Sequence, residues 1–132
     1  MIVYDIDTIN FYTDNEYKEL LEKSKINLTE NDTRYINNMI DKILSKIDKR
    51  VSPIITEKIL YTFLSRSSDY GKIYFIKQFL FEEILNEVSD FWDKQFDECL
   101  KELCDKKILI ETIYSDIKYY SLNYTYLYKL GG

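Results

Sequence analysis

The sequence predicts a mainly α fold that closes in a small C-terminal β-hairpin, an α+β class, and three observations carry that prediction. Apolar residues recur at helical spacing through most of the 132 residues. Capping residues punctuate those stripes: Thr13 with Glu16, Thr29 or Asp32, and Ser52 followed by Pro53. From Ile108 onward the pattern changes to short runs rich in Ile, Tyr and Thr on either side of Ser115–Asp116, as in two strands joined by a turn.

Taken in order, residues 2–6 alternate loosely, as a short strand or extended arm would. The capping box Thr13/Glu16 opens a helix over about 14–25, with Tyr17, Leu20 and Leu21 starting its apolar stripe. A second helix, over about 33–50, places Ile36, Met39, Ile40, Ile43 and Ile47 on one face. Its other side gathers Arg34, Lys42, Lys46, Lys49 and Arg50 into a basic stripe, either a phosphate-contacting surface or a solvated helix face. Ser52 as N-cap and Pro53 at the first helical position start a helix over 54–66 that buries Ile55, Ile59, Leu60, Phe63 and Leu64. Residues 67–72, SSDYGK, form a turn. The segment IYFIKQFLFEEILNEV is apolar almost all round and predicts the most buried helix, after a short strand at 72–75. Ser89 and Asp90 cap a last long helix through about 106, with Phe96, Cys99, Leu100 and Leu103 inward.

Composition narrows the function classes. With 45% hydrophobic and 31% charged residues the chain can bury a core, and disorder is not expected. The longest apolar runs are four or five residues, far short of a membrane span. MIVYDID has no basic region and no long apolar stretch, so it does not read as a secretory signal. Two cysteines in an ordinary domain fit a reducing compartment, and the expected location is cytoplasmic, of the host cell if the protein is viral. There is no histidine. That removes Ser–His and Cys–His nucleophile pairs and HEXXH zinc sites, along with the commonest general base near neutral pH. Two cysteines without histidine fall short of the usual structural zinc sets. No enzyme, metal or cofactor is expected. Cys99 and Cys104, roughly 140° apart around one helix at 100° per residue, read as core or half-buried thiols. The 18 basic residues against 23 acidic ones give a net charge of −5, which disfavours a DNA clamp because phosphate neutralisation dominates nucleic-acid affinity.

The spacing of Leu100, Leu103, Ile108, Ile110, Tyr120 and Leu122 resembles that of the winged helix-turn-helix superfamily, especially regulators of the MarR and PadR type. The resemblance runs over residues 54–122 in the order helix, optional short strand, helix, turn, helix, hairpin. It implies a winged-helix-like domain over 52–132 preceded by an N-terminal helical extension over 1–51, the two forming one compact unit. It also implies DNA binding, and three departures argue against that role. Lys107 stands where such families usually open the wing with glycine. The wing tip is Ser115–Asp116, and Lys118 is the hairpin's one basic residue. The helix that would read DNA carries Asp90, Asp93, Asp97, Glu98, Glu102 and Asp105 against Lys94, Lys101, Lys106 and Lys107.

The expected function is therefore a non-enzymatic protein-binding module, with Asp90, Asp93, Asp97, Glu98 and Trp92 as partner contacts. Tyr120, Tyr124, Tyr126 and Tyr128 join them, because one parity of an extended strand projects them from one face. The partner class is a nucleic-acid-binding complex whose phosphate sites these carboxylates imitate, as in many anti-CRISPR inhibitors from phages and mobile elements. The alternative is a dimeric winged-helix transcription regulator that holds DNA through Lys42, Lys46, Lys49, Arg50, Lys94 and Lys101.

Overall fold

A computed structural model describes Glu19, Glu22, Lys23 and residues 27–65, 74–85, 93–114 and 116–131. The chain is mostly helical, with one small antiparallel sheet. Of the expected helix over 14–25, Glu19, Glu22 and Lys23 are helical and exposed, and the rest lies outside the described residues, as does the arm at 2–6.

Helix α1 spans Glu30–Leu44 and starts on a reciprocal cap. The Thr29 hydroxyl accepts from the Asp32 N–H at 3.1 Å, and the Asp32 carboxylate accepts from the Thr29 N–H at 3.0 Å. That Thr29 N–H, followed by the Thr29 hydroxyl, holds the Asp32 carboxyl below the usual aspartate value. The helix buries Ile36, Met39, Ile40 and Ile43. It stops six residues before the expected end because Ser45 turns the chain. The Ser45 N–H bonds the Asp41 carbonyl at 3.1 Å and its hydroxyl bonds the Lys42 carbonyl at 2.6 Å. Ile47 still reaches the core, but from a turn.

Helix α2 spans Pro53–Leu64, with Ser52 as N-cap accepting from the Ile55 N–H at 3.3 Å and proline at the first helical position. Ile55, Ile59, Leu60 and Phe63 are buried, while Leu64 is half-buried. The turn expected at 67–72 lies outside the described residues. Strand β1 (Phe75–Ile76) leads directly into helix α3 (Lys77–Leu85); it shares Phe75 with the strand expected at 72–75, of which residues 72–73 lie outside the described residues. Helix α4 spans Asp93–Asp105 and turns Phe96, Cys99, Leu100 and Leu103 inward. The Ser89/Asp90 cap proposed for it falls outside the described residues.

Strands β2 (Leu109–Tyr114) and β3 (Ile117–Leu122) form the hairpin, paired without interruption from Leu109↔Leu122 to Tyr114↔Ile117. Strand β1 adds to the other side of β3 through Phe75↔Tyr120 and Ile76↔Tyr119, so β3 is central and the order is β1–β3–β2. The chain then forms helix α5 (Tyr124–Gly131) instead of continuing as a strand. Asn123 caps it by accepting from the Tyr126 N–H at 3.3 Å, and its amide donates to the Lys107 carbonyl at 2.9 Å. That side chain thereby ties the end of the sheet to the end of α4. Buried residues of all these elements, including Ile36, Ile43, Ile59, Phe75, Leu103 and Leu127, form one hydrophobic cluster. Among the described residues, no helix is long and apolar enough to cross a membrane.

The passage from α4 into the sheet uses a left-handed residue. Lys107 has φ 63°, the Ile108 N–H reaches back to the Leu103 carbonyl at 2.9 Å, and the Lys107 N–H to the Cys104 carbonyl at 3.0 Å. This is a Schellman closure, which favours glycine at its left-handed position. A Cβ there costs roughly 1–2 kcal/mol, of which the greater unfolded-chain freedom of glycine cancels roughly 0.4–1 kcal/mol. Lys107→Gly is therefore expected to stabilise the fold by about 0.5–1 kcal/mol, read as a rise in the thermal midpoint. An unchanged or lower midpoint contradicts the closure.

Candidate protein-binding face

The expected partner contacts divide by element. Asp90 and Trp92 fall outside the described residues; Asp93 begins α4, and its side chain also falls outside. Asp97 and Glu98 both lie on the exposed side of α4, with Lys94 and Lys101 beside them. From Lys94 to Asp105 that helix carries Asp97, Glu98, Glu102 and Asp105 against Lys94 and Lys101.

Several of these charges are partnered within the chain. Lys77, at the start of α3, places its ammonium 2.5 Å from Asp97, with both side chains about half exposed. Lys101 lies 3.4 Å from Asp105 one turn along. Glu102 is the least exposed of the acids whose side chains are described on this helix, 13% accessible. It accepts the Asp48 backbone N–H across the junction between α4 and the turn after α1, and Lys106 stands 3.9 Å from it. Glu102 is therefore an anchor that fastens α4 to the N-terminal part of the chain.

The expected basic stripe is not a helix face. Lys42 is on α1 and exposed, whereas Lys46, Lys49 and Arg50 sit in the turns beyond Leu44, because Ser45 has already ended the helix. Arg50 is further committed: its guanidinium grips both Asp48 oxygens at 2.7–3.1 Å, and its backbone N–H adds a bond at 2.9 Å. That grip holds the Asp48 carboxyl down at about 2, the Arg50 side-chain hydrogen bonds being the largest cause. Beside this pair a shallow depression of about 220 Å³ is lined by Asp48, Arg50, Glu98, Lys101, Glu102 and Asp105.

A deeper groove, about 420 Å³, runs between α4 and the hairpin. Leu100, Cys104 and Tyr120 contribute to its lining, together with Asp97, Asp105 and Glu111 and with Lys77, Lys101 and Lys118. Tyr120 is buried and donates its phenol to Glu111 at 2.9 Å. Burial, then the Glu111 bond, keep that phenol protonated well above the ordinary tyrosine range. Cys104 is half-buried, and burial together with the nearby Glu111 and Asp105 pushes its thiol up to about 11, against the opposing effect of Lys118. Cys99 is fully buried against the Ser52 carbonyl, and both cysteines are free thiols, as their spacing predicted.

The tyrosine row is corrected. Leu122 ends the strand and Asn123 caps a helix, so Tyr124, Tyr126 and Tyr128 lie on α5 and share no strand face with Tyr120. Tyr120 is buried in the core, 3% exposed. Tyr124 and Tyr128 instead reach an apolar groove of about 360 Å³ between α1, α2 and α5, with Tyr35 on its far wall and Phe63 and Leu127 below. Tyr128 is 84% exposed and Tyr35 60%. Tyr35 was not among the expected contacts. Its place on the flank of the apolar stripe of α1, about 90° from the centre of that stripe at 100° per residue, is the signal that marks it.

Among the described residues no three His, Cys, Asp or Glu side chains gather closely enough to hold a metal ion. In comparisons with known proteins, no family model, curated protein or solved structure matches the chain.

Proposed function

We propose that the chain is a non-catalytic protein-binding module on a winged-helix scaffold, and that α4 presents carboxylates to a basic, nucleic-acid-binding surface of its partner. The element order supports the scaffold: α2, β1, α3, α4 and then the hairpin, with β3 between β1 and β2. The single observation that carries the function is the charge of the exposed α4 face. Asp97 and Asp105 each take up a lysine of the chain itself, and Glu98 adds a further exposed carboxylate between them. DNA laid on this face would meet Glu98 together with lysines already engaged by Asp97 and Asp105, where its phosphates need free cations, and the adjoining hairpin tip adds Asp116. A partner whose groove normally holds phosphates finds carbon-borne oxyanions there. Such a module would act as an inhibitor of a host nucleic-acid machine in the manner of anti-CRISPR proteins, and a chain with no histidine suits a role without chemistry.

The test has two arms. Duplex DNA titrated with the purified chain is expected to remain unbound at physiological and at low salt. An affinity that falls steeply with salt supports the regulator reading through Lys94 and Lys101 and overturns this one. In the second arm, the immobilised chain is expected to retain basic nucleic-acid-binding proteins from a host lysate and to release them to competing duplex DNA. Asp97→Lys with Glu98→Lys should weaken that capture about tenfold or more, since rearranged charge complementarity of about 1.4 kcal/mol is a factor of ten. Undiminished capture by the double variant moves the interface off α4.

A further inference from the structure

Strand β2 is the outermost strand of the sheet, and among the described residues no strand pairs with its outer side. Edge strands of this kind are commonly protected by lysine, proline, a bulge or an inward-pointing charge, because their unpaired N–H and C=O groups otherwise accept a further strand. The six residues LIETIY contain neither lysine nor proline, and their pairing with β3 is unbroken by a bulge. The one charge, Glu111, is the residue that would guard the edge. Its carboxylate instead accepts the phenol of Tyr120, directly across on β3, and so leans away from the open side. The apolar side chains along the strand are unusually open: Ile113 is 62% exposed and Ile110 36%.

We infer that β2 is a self-docking edge, and that two copies of the chain join their β2 strands antiparallel, with Thr112 facing Thr112 of the second copy, into one continuous six-stranded sheet. The occupant is a second copy because this strand complements itself. A two-fold axis normal to the sheet keeps each residue on its own face, so only residues of equal parity stand opposite one another. Centring the pair on Thr112 sets Glu111 against Ile113 of the other copy, separates the two carboxylates, and leaves a Thr–Thr pair on the axis, which is a favourable cross-strand match. Centring it on Glu111 would oppose like charges. Backbone hydrogen bonds supply the attraction, and Ile113 gains cover it lacks in the single chain. The contact is small, so association is reversible and follows concentration.

The experiment uses the full chain. Its weight-average mass in sedimentation equilibrium is expected to climb from the 16.0 kDa of one chain toward twice that as concentration rises. Ile113→Glu, at an exposed position where folding is not at stake, sets a carboxylate against Glu111 of the other copy and is expected to hold the mass at one chain with an unchanged far-ultraviolet spectrum. Thr112→Cys is expected to give a disulfide-linked dimer on mild oxidation, because directly opposed strand residues bring their Cα atoms to roughly 4.5–5.5 Å, within disulfide reach. Lys118→Cys, on the inner strand, is expected to stay a single chain under the same treatment. The inference is overturned if the native chain keeps the mass of one copy throughout, if Ile113→Glu associates as the native chain does, or if the two cysteine variants cross-link alike.

Discussion

Ile43→Ala is expected to destabilise the whole chain by about 2–5 kcal/mol, the range for truncating a buried isoleucine. Ile43 is completely buried, and it is the last inward residue of α1 before Ser45 turns the chain. If residues 27–51 were an appendage, the loss would be confined to a separate early transition. The hydrophobic cluster is shared between α1 and the later elements, and Glu102 holds the Asp48 N–H across the same junction, so one cooperative transition moving to lower denaturant is expected. Two transitions, with the later one unmoved, would detach α1 from the body.

Phe75→Ala is expected to cost about 3–5 kcal/mol, as large aromatic truncations in cores do. The ring is fully buried, edge-on to Phe63 at 4.8 Å and stacked on Phe79 at 5.3 Å. Phe75 also pairs with Tyr120, so the ring joins α2 and α3 to the middle of the sheet. Phe75→Leu keeps most of the apolar volume but loses the ring geometry, and it should cost clearly less than alanine. Chemical denaturation measures both. Equal losses for the two variants would place the whole cost on the ring geometry that both lack, and none on the apolar volume that leucine keeps.

Much of the fold was legible because local rules and burial agree. Ser52–Pro53 marked the start of α2 to within a residue, since a hydroxyl cap and a fixed φ act without tertiary help. The helix-to-hairpin change near Ile108 was equally plain from periodicity. Two elements misled for physical reasons. Ile47 continues the four-residue spacing of Ile43 but reaches the core from a turn, so the stripe outran its helix. Tyr124, Tyr126 and Tyr128 alternate like a strand, yet Tyr124, Leu127 and Tyr128 also fit a helix, and the cap by Asn123 decides between them. The candidate face was legible as a list of acids on α4. Its electrostatics were not, because Lys77 comes from another helix, and only the packed chain brings it to Asp97. Tyr35 and the apolar groove are likewise products of packing between distant segments.

The two-residue strand β1 has a kinetic meaning. Its partner Tyr120 lies far along the chain from Phe75, with α3 and α4 between them. The β2–β3 ribbon closes over a tight turn and can form locally in roughly 1–10 μs. Adding β1 requires a long loop to close first, with its entropy lost before the ring of Phe75 finds any reward. Early intermediates should therefore show hairpin protection in hydrogen exchange while the amides of Phe75 and Ile76 still exchange freely. The sheet is completed late, and the smallest of the described strands sets the time at which its core closes.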